Sequence, residues 1–303
     1  MSEQRMLRGT FSSCTGEKLE YCMWFPEGDP RAVIQLVHGM AEHIDRYDAT
    51  ARALTRAGFS VVAHNHLGHG AQAPVKGWFG EKNGWQHLID DVHLFRQCVQ
   101  EHEPGVPYIL LGHSMGSFVV RCYLMQYAQG LAGAILSGTG YFPKPVVMAG
   151  LGLANLVCLC GGGKKPSKLI DSIAFGANNK AVKDPRTPFD WLTRAEEVVD
   201  RYIADPCCGF LFTGAGYRDM FSGLNRLTNI GNMPARLPVL FLSGEADPVG
   251  SGDGVRRVAE EFRAAGMQHV DVKLYPEGRH EMFNEINREE VWQDVIHWVE
   301  RLL

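Results

Sequence analysis

The tightest constraint on this chain is the stretch Leu110-Leu111-Gly112-His113-Ser114-Met115-Gly116, where an apolar run beginning at Pro107 meets the pattern Gly-x-Ser-x-Gly. A helical pattern over residues 118–129 follows and stops at Gly130. A serine at so sharp a strand-to-helix turn occupies strained backbone, with its hydroxyl raised above the end of the sheet. The flanking glycines are then required, because a Cβ at Gly112 or Gly116 would strike the neighbouring strand or helix. The helix N-terminus also aims the Met115 N–H at any negative charge that develops beside the serine. By itself the pattern describes only a tight glycine turn. Between a buried strand and a helix it restricts the chain to strand–helix alternation around a reactive serine.

The rest of the chain supplies that alternation. Residues 10–37 read as opening strands, ending in the apolar run 32–37 typical of a strand buried on both faces. Residues 45–57 read as a helix closed by Gly58, and 59–63 as a strand. Over 85–99 apolar residues recur three and four apart, an amphipathic helix ended by Pro104-Gly105. A strand at 132–137 follows, and the rhythm then stops between about Tyr141 and Arg236. It resumes with a strand at 239–243, a helix at 255–265, a strand at 270–274 and a last helix from Asn287. Such alternation predicts an α/β fold with a mostly parallel sheet flanked by helices. The interruption holds Gly161-Gly162-Gly163-Lys164-Lys165-Pro166, many aromatic residues, and a capping box Thr193-Arg194-Ala195-Glu196 that opens one clear helix. The expected organisation is therefore a core of residues 1–140 and 237–303 with a helical cap inserted at 141–236. An insertion there lies over the C-terminal ends of the strands, where open α/β sheets bind ligands, so it should roof Ser114.

Of 303 residues, 45% are hydrophobic, enough for a core of that size. A net charge of −4 gives no basis for a nucleic-acid partner. The segment Met1 to Met6 lacks the charged-then-apolar design of a signal peptide, so a cytoplasmic location is expected. Eight cysteines are too sparse for a disulfide framework, and Cys22, Cys98 and Cys122 fall within apolar patterns where a thiol acts as a small hydrophobe. Cys158-x-Cys160 and Cys207-Cys208 lack zinc-site spacing.

A serine hydroxyl needs a base to become a nucleophile. Asp247, in Ser243-Gly244-Glu245-Ala246-Asp247-Pro248, and His280, in Tyr275-Pro276-Glu277-Gly278-Arg279-His280, each follow an expected strand. The chain order Ser114, Asp247, His280 is that of a nucleophile-elbow hydrolase: His280 takes the Ser114 proton and Asp247 fixes the imidazole tautomer. Glu245 is the rival acid. Val37-His38-Gly39-Met40 follows another strand, so Met40 and Met115 are assigned as the two oxyanion donors, with Gly39 allowing close approach and His38 a structural hydrogen bonder. His113 should pack beside the elbow, pointing away from Ser114. His64, His66 and His69 lie close in sequence but have no carboxylate at ligand spacing, so no metal is expected there.

With those residues in place, the chain resembles the monoacylglycerol lipase and lysophospholipase branch of the α/β-hydrolases. The resemblance rests on His38-Gly39-Met40-Ala41-Glu42-His43-Ile44-Asp45-Arg46-Tyr47, on His66-Leu67-Gly68-His69-Gly70 and on the elbow Gly112-His113-Ser114-Met115-Gly116. Asn65 stands where that branch often has aspartate, and Ala71 where a polar residue is more usual. The resemblance covers the core but not the cap. It implies an α/β-hydrolase fold and a serine carboxylester hydrolase of monoacylglycerol-like or lysophospholipid-like esters, needing no metal or organic cofactor.

The cap segment 146–160 is apolar except for Asn155 and is followed by Lys164, Lys165 and Lys168. At 15 residues it is shorter than the roughly 20 needed for a membrane span. One reading is a lid helix buried on the core; the other is a surface-seeking lid that contacts anionic lipid transiently. An apolar roof suits an acyl chain. A short-chain esterase and a C–C hydrolase are alternatives on this scaffold. An aminopeptidase would need acidic cap residues such as Glu196, Glu197 and Asp200 to grip an amine. A dehalogenase would need aspartate at 114. A non-catalytic receptor would have no use for His280.

Overall fold

The computed structural model describes residues 5–303, so Met1 to Gln4 of the stretch read for a leader lie outside the described residues. Eight strands form one sheet: β1 (Met6–Ser12), β2 (Lys18–Trp24), β3 (Ala32–Val37), β4 (Phe59–His64), β5 (Tyr108–His113), β6 (Gly133–Ser137), β7 (Val239–Gly244) and β8 (Val270–Tyr275). Their spatial order is β1-β2-β4-β3-β5-β6-β7-β8. The pairings β1–β2 and β2–β4 are antiparallel; from β4 to β8 the strands run parallel. Strands β3 to β7 are buried at every residue, which is why they read as continuous apolar runs without alternation.

Nine helices accompany the sheet among the described residues: α1 (Asp48–Arg56), α2 (Gly84–His102), α3 (Met115–Tyr127), α4 (Lys144–Val157), α5 (Lys168–Ala174), α6 (Glu196–Ala204), α7 (Gly214–Arg226), α8 (Ser251–Ala264) and α9 (Arg288–Glu300). Because successive strand residues face opposite sides, β5 divides itself between two cores. Leu110 packs with Val92 and Phe95 of α2, Val119 of α3 and Phe262 of α8. Ile109 and Leu111 pack on the other face with Leu54 of α1 and Val295 of α9. Helices α4 to α7 add no strand to the sheet; they lie over the ends from which the loops after β3, β5, β7 and β8 emerge.

Several local expectations are corrected. The first strand begins at Met6, before the expected 10: it is an exposed edge strand, so no buried face marks it in the sequence. The helix expected over 45–57 is a 3₁₀ turn, Ile44–Tyr47, followed by α1. The capping box does not form, since Thr193 Oγ donates to Asn284 O and accepts from Ala195 N–H, and α6 starts after Ala195 without a side-chain cap. Cys98 is exposed, whereas Cys22 and Cys122 are buried.

Helix α7 was masked by its glycines, each of which weakens a helix by about 1 kcal/mol relative to alanine. A Cβ on Gly223 would lie 2.0 Å from the Trp85 indole of α2, so the residue that hides the helix is the one that lets it pack. The segment read as a lid buried on the core is neither buried nor 15 residues long. Helix α4 runs on into one π turn, Cys158–Gly162, which kinks at Gly161 (φ 83°), so that Lys144 to Gly162 forms a 19-residue apolar stretch. By length and composition it is long enough to cross a membrane, yet one side of it is committed to α7, where Gly150 abuts Phe221. Only Val147 and Ala154 of α4 are buried.

Candidate active site

Strand β5 ends at His113 and α3 begins at Met115, leaving Ser114 alone at φ 52°, ψ −121°. For a residue with a side chain that backbone stores about 1–3 kcal/mol, so its surroundings must impose it. They do so directly. Ser114 N–H donates to Ser137 O at 2.9 Å, and Ser117 Oγ donates to Ser114 O at 2.6 Å. A Cβ on Gly116 would lie 2.0 Å from Val37 O, and one on Gly112 2.6 Å from Gly116 O. The helix can leave β5 at this angle only with glycine at both places.

The loops after β7 and β8 bring Asp247 and His280 to the same point. His280 Nε2 lies 2.8 Å from Ser114 Oγ, and His280 Nδ1 lies 3.0 Å from each Asp247 oxygen. Asp247 is held in turn by the Val249 N–H at 2.8 Å and the Ser243 hydroxyl at 3.2 Å. Burial alone would lower the His280 pKa, but the Asp247 charge and hydrogen bond outweigh it and raise it above the ordinary 6.5. Burial would likewise raise Asp247, and His280 with the backbone donor keeps it below the ordinary carboxylate range. Glu245, the rival acid, is exposed, and it is Asp247 that His280 Nδ1 bonds. His113 is buried beside the pair, its ring 4.9 Å from that of His280 and its Nδ1 3.4 Å from Ser137 Oγ, and burial holds its pKa down to about 4.

After β3 the chain passes close to the elbow: a Cβ on Gly39 would lie 3.1 Å from Ser114 Cβ. Its N–H groups are spoken for alternately. Gly39 N–H donates to Glu42 Oε1 at 2.5 Å and Ala41 N–H to His69 Nε2 at 3.2 Å. Among the described residues the Met40 and Met115 N–H groups have no such acceptor. His38 is a hydrogen bonder, with Nδ1 on Gly39 O at 2.9 Å and Nε2 accepting the His66 N–H at 3.0 Å. His64, His66 and His69 are buried next to it, and burial lowers all their pKa values, His66 to about 4 and His69 to about 3. Among the described residues His66 Nε2 donates to His38 O at 3.2 Å, and His69 accepts the Ala41 N–H while its Nδ1 donates to Leu67 O at 3.0 Å, whereas the His64 ring nitrogens have no hydrogen-bond partner. Asn65, the departure noted in the sequence, accepts the Ile44 N–H and donates to Glu20, a pairing aspartate could not complete.

Sequence reasoning missed what lies beneath. Arg46 forks onto both Glu281 oxygens at 2.7 and 2.6 Å and also reaches Glu42 at 2.6 Å. Tyr47 OH donates to Glu42 at 2.7 Å, and Asn284 to Glu281 at 3.0 Å. Although burial would raise it, Arg46 holds the Glu281 carboxyl well below its usual range. This buried cluster ties the Gly39–Glu42 loop to the residue after His280. Its signal was present in the Glu-His-x-x-Arg-Tyr spacing, which places Glu42 and Arg46 four apart on one turn.

Above Ser114 lies a cavity of about 750 Å³, with His280 and Met115 at its floor and Phe118, Phe142, Leu153, Ile170, Met220 and Phe221 among its walls. Its acidic lining residues already have partners: Glu42 and Glu281 on Arg46, Asp171 on Tyr217 OH. Glu196, Glu197 and Asp200, the residues an amine-gripping cap would need, are exposed and do not line it. Lys164 is paired with Glu81 and sits over Trp78, while Lys165 and Lys168 are exposed.

Known proteins share this architecture. Residues 28–287 match the family model described as serine aminopeptidase, S33. A monoacylglycerol lipase of Mycolicibacterium smegmatis is 32% identical over 96% of this chain and 95% of its own. A human monoglyceride lipase is 28% identical over 90% of this chain and 86% of its own. The crystal structure of a thermostable carboxyl esterase from Bacillus coagulans, in complex with glycerol, superposes with a TM-score of 0.91 at 30% identity, covering 99% of both chains. The chain belongs to the monoacylglycerol lipase-like branch of the α/β-hydrolases.

Proposed function

We propose that this protein is a serine carboxylester hydrolase of monoacylglycerol-like or lysophospholipid-like esters. The observation that carries the reading is the 2.8 Å approach of Ser114 Oγ to His280 Nε2 at the floor of a 750 Å³ apolar cavity. That volume is in the range of pockets that enclose a whole small ligand. In this reading His280 takes the Ser114 proton as Oγ attacks the ester carbonyl, and the developing oxyanion is held by the Met40 and Met115 N–H groups. His280 then protonates the departing alcohol. A water, deprotonated by the same imidazole, releases the fatty acid from Ser114. Asp247 keeps the ring proton on Nδ1 and stabilises the imidazolium. No step calls for a metal or organic cofactor.

Helices α4 to α7 act as the cap in this reading, and their outer face meets lipid. Val146 and Ile173 line the cavity mouth and are also exposed, and Met148, Leu156, Leu159 and Leu169 extend the same apolar surface outward. Lys165 and Lys168 border it, fitting transient contact with an anionic surface. Eight free cysteines suit the reducing cytoplasm.

Hydrolysis of a p-nitrophenyl ester series and of 1-monoacylglycerol, by the native enzyme and Ser114→Ala, tests the reading. Activity that rises with acyl length, includes the glyceride and disappears in Ser114→Ala is expected. Turnover confined to acetate and butyrate would replace it with a short-chain esterase.

A further inference from the structure

Away from Ser114, where the chain after β3 meets the chain after α6, three donor atoms of different chemistry converge. His43 Nε2, an Asp205 carboxylate oxygen and Cys208 Sγ all lie within 4.8 Å of one another. The His43 Nε2–Asp205 Oδ2 separation is 2.8 Å, and the two residues are 162 apart in sequence. From this convergence we propose that His43, Asp205 and Cys208 form a binding site for a borderline-soft divalent cation of the Zn²⁺ type. One sulfur, one imidazole nitrogen and one carboxylate oxygen suit zinc's tetrahedral habit, whereas calcium and magnesium prefer oxygen throughout. His43 and Asp205 are 13% and 32% exposed, so water can take the fourth position.

The surrounding charge favours a cation. Two positive groups are nearby: Lys76, which donates to Pro206 O, and Arg46, which is paired with both Glu42 and Glu281, while Asp205 adds a third carboxylate. On the far side of the His43 ring, Asp45 Oδ2 lies 3.8 Å from Nδ1 and is itself paired with Arg8. Burial pushes the Cys208 thiol up, so without a cation it stays protonated and the His43–Asp205 contact is a hydrogen bond. On binding, the thiol proton is released to solvent, and the His43 ring carries its proton on Nδ1, on the side of the ring where Asp45 lies 3.8 Å away.

The site would bridge functional parts. His43 follows Glu42 directly, and the carbonyl of Ala41 already accepts Gly209 N–H at 2.9 Å and Tyr202 OH at 3.2 Å. A cation here adds a further clamp between the Gly39–Glu42 loop and the cap.

The test is Co²⁺ titration of chelator-treated, reduced protein, followed by absorption. The expected result is one equivalent of Co²⁺ giving a thiolate-to-cobalt charge-transfer band with tetrahedral ligand-field bands, displaced by one equivalent of Zn²⁺. Cys208→Ser should abolish the band. His43→Gln should weaken Zn²⁺ binding at least ~10-fold, the loss seen when even outer-shell partners are removed. Cys207→Ser should keep the band. Absence of a thiolate band in the native protein overturns the site, whatever the variants do. So does a band that survives in folded Cys208→Ser, which would place the cobalt on another cysteine.

Discussion

The floor and the roof of the cavity are built on opposite principles. Under Ser114, polar groups are buried and interlocked: Glu42, Arg46, Glu281, Tyr47 and Asn284 satisfy one another over distances of 2.6 to 3.0 Å. Over Ser114, α4 buries only two of its fourteen residues and shows apolar side chains on both sides. A buried polar network has one good arrangement and punishes every other. An apolar contact has no preferred direction, so a roof made of such contacts can move or exchange partners at little cost. The floor fixes one geometry; the roof is free of that constraint.

The comparison sharpens most where the floor is broken. Asp247→Asn should lower kcat by about 10⁴-fold with little change in KM, because the neutral amide fixes the wrong imidazole tautomer; steady-state kinetics on a soluble ester checks it. Arg46→Met leaves two carboxylates buried without their partner, and the loss of a buried ion-pair member costs about 3–5 kcal/mol. The midpoint of urea unfolding should fall accordingly, and by much less in Arg46→Lys, which keeps the charge.

Acid should act on the floor as well. His280 must be neutral to accept a proton and its pKa is raised, so kcat/KM should fall on acidification through a pH above 6.5. Stability should drop at lower pH. His66, His69 and His113 have depressed pKa values in the fold, so between pH 6.5 and about 4 the unfolded chain binds more protons and stability is lost as pH falls. Urea midpoints at pH 7, 5.5 and 4.5 measure that slope.

The smallest effect on the folded enzyme belongs to the roof. Leu156→Ser with Leu159→Ser, and Lys165→Glu with Lys168→Glu, should change stability by no more than about 0.5 kcal/mol. Soluble p-nitrophenyl butyrate turnover should stay within about twofold, since surface changes of this size leave the fold alone. Hydrolysis of monoacylglycerol in anionic vesicles should decline. Equal rates on vesicles for variants and native enzyme would remove the lipid-surface role.

The same contrast explains what the sequence revealed. Strands buried on both faces announce themselves as apolar runs, and the Gly112–Gly116 spacing marks the elbow because sterics leave no alternative there. Ser114 and Asp247 were legible for the same reason, each following such a run, whereas His280 follows the half-exposed β8, which reads by alternation. The roof was less legible. Helix α7 carries glycines fitted to Trp85 and Gly77, so close packing erased its helical signature. The exposed face of α4 depends on what covers it, which no local pattern states. Arg46 and Glu281 are 235 apart, and their pairing is set by where the sheet puts two loops.

The placement of His280 has a consequence for how the protein is made. Ser114 and His280 are separated by 166 residues, and at 5–20 residues per second the ribosome needs about 8–33 s to go from one to the other. During that interval the nascent chain holds its nucleophile but no base, while the residues that wall the cavity are still being added. Ester-cleaving chemistry is thus withheld until the last strand of the sheet has been made, a timing written into the order of the strands.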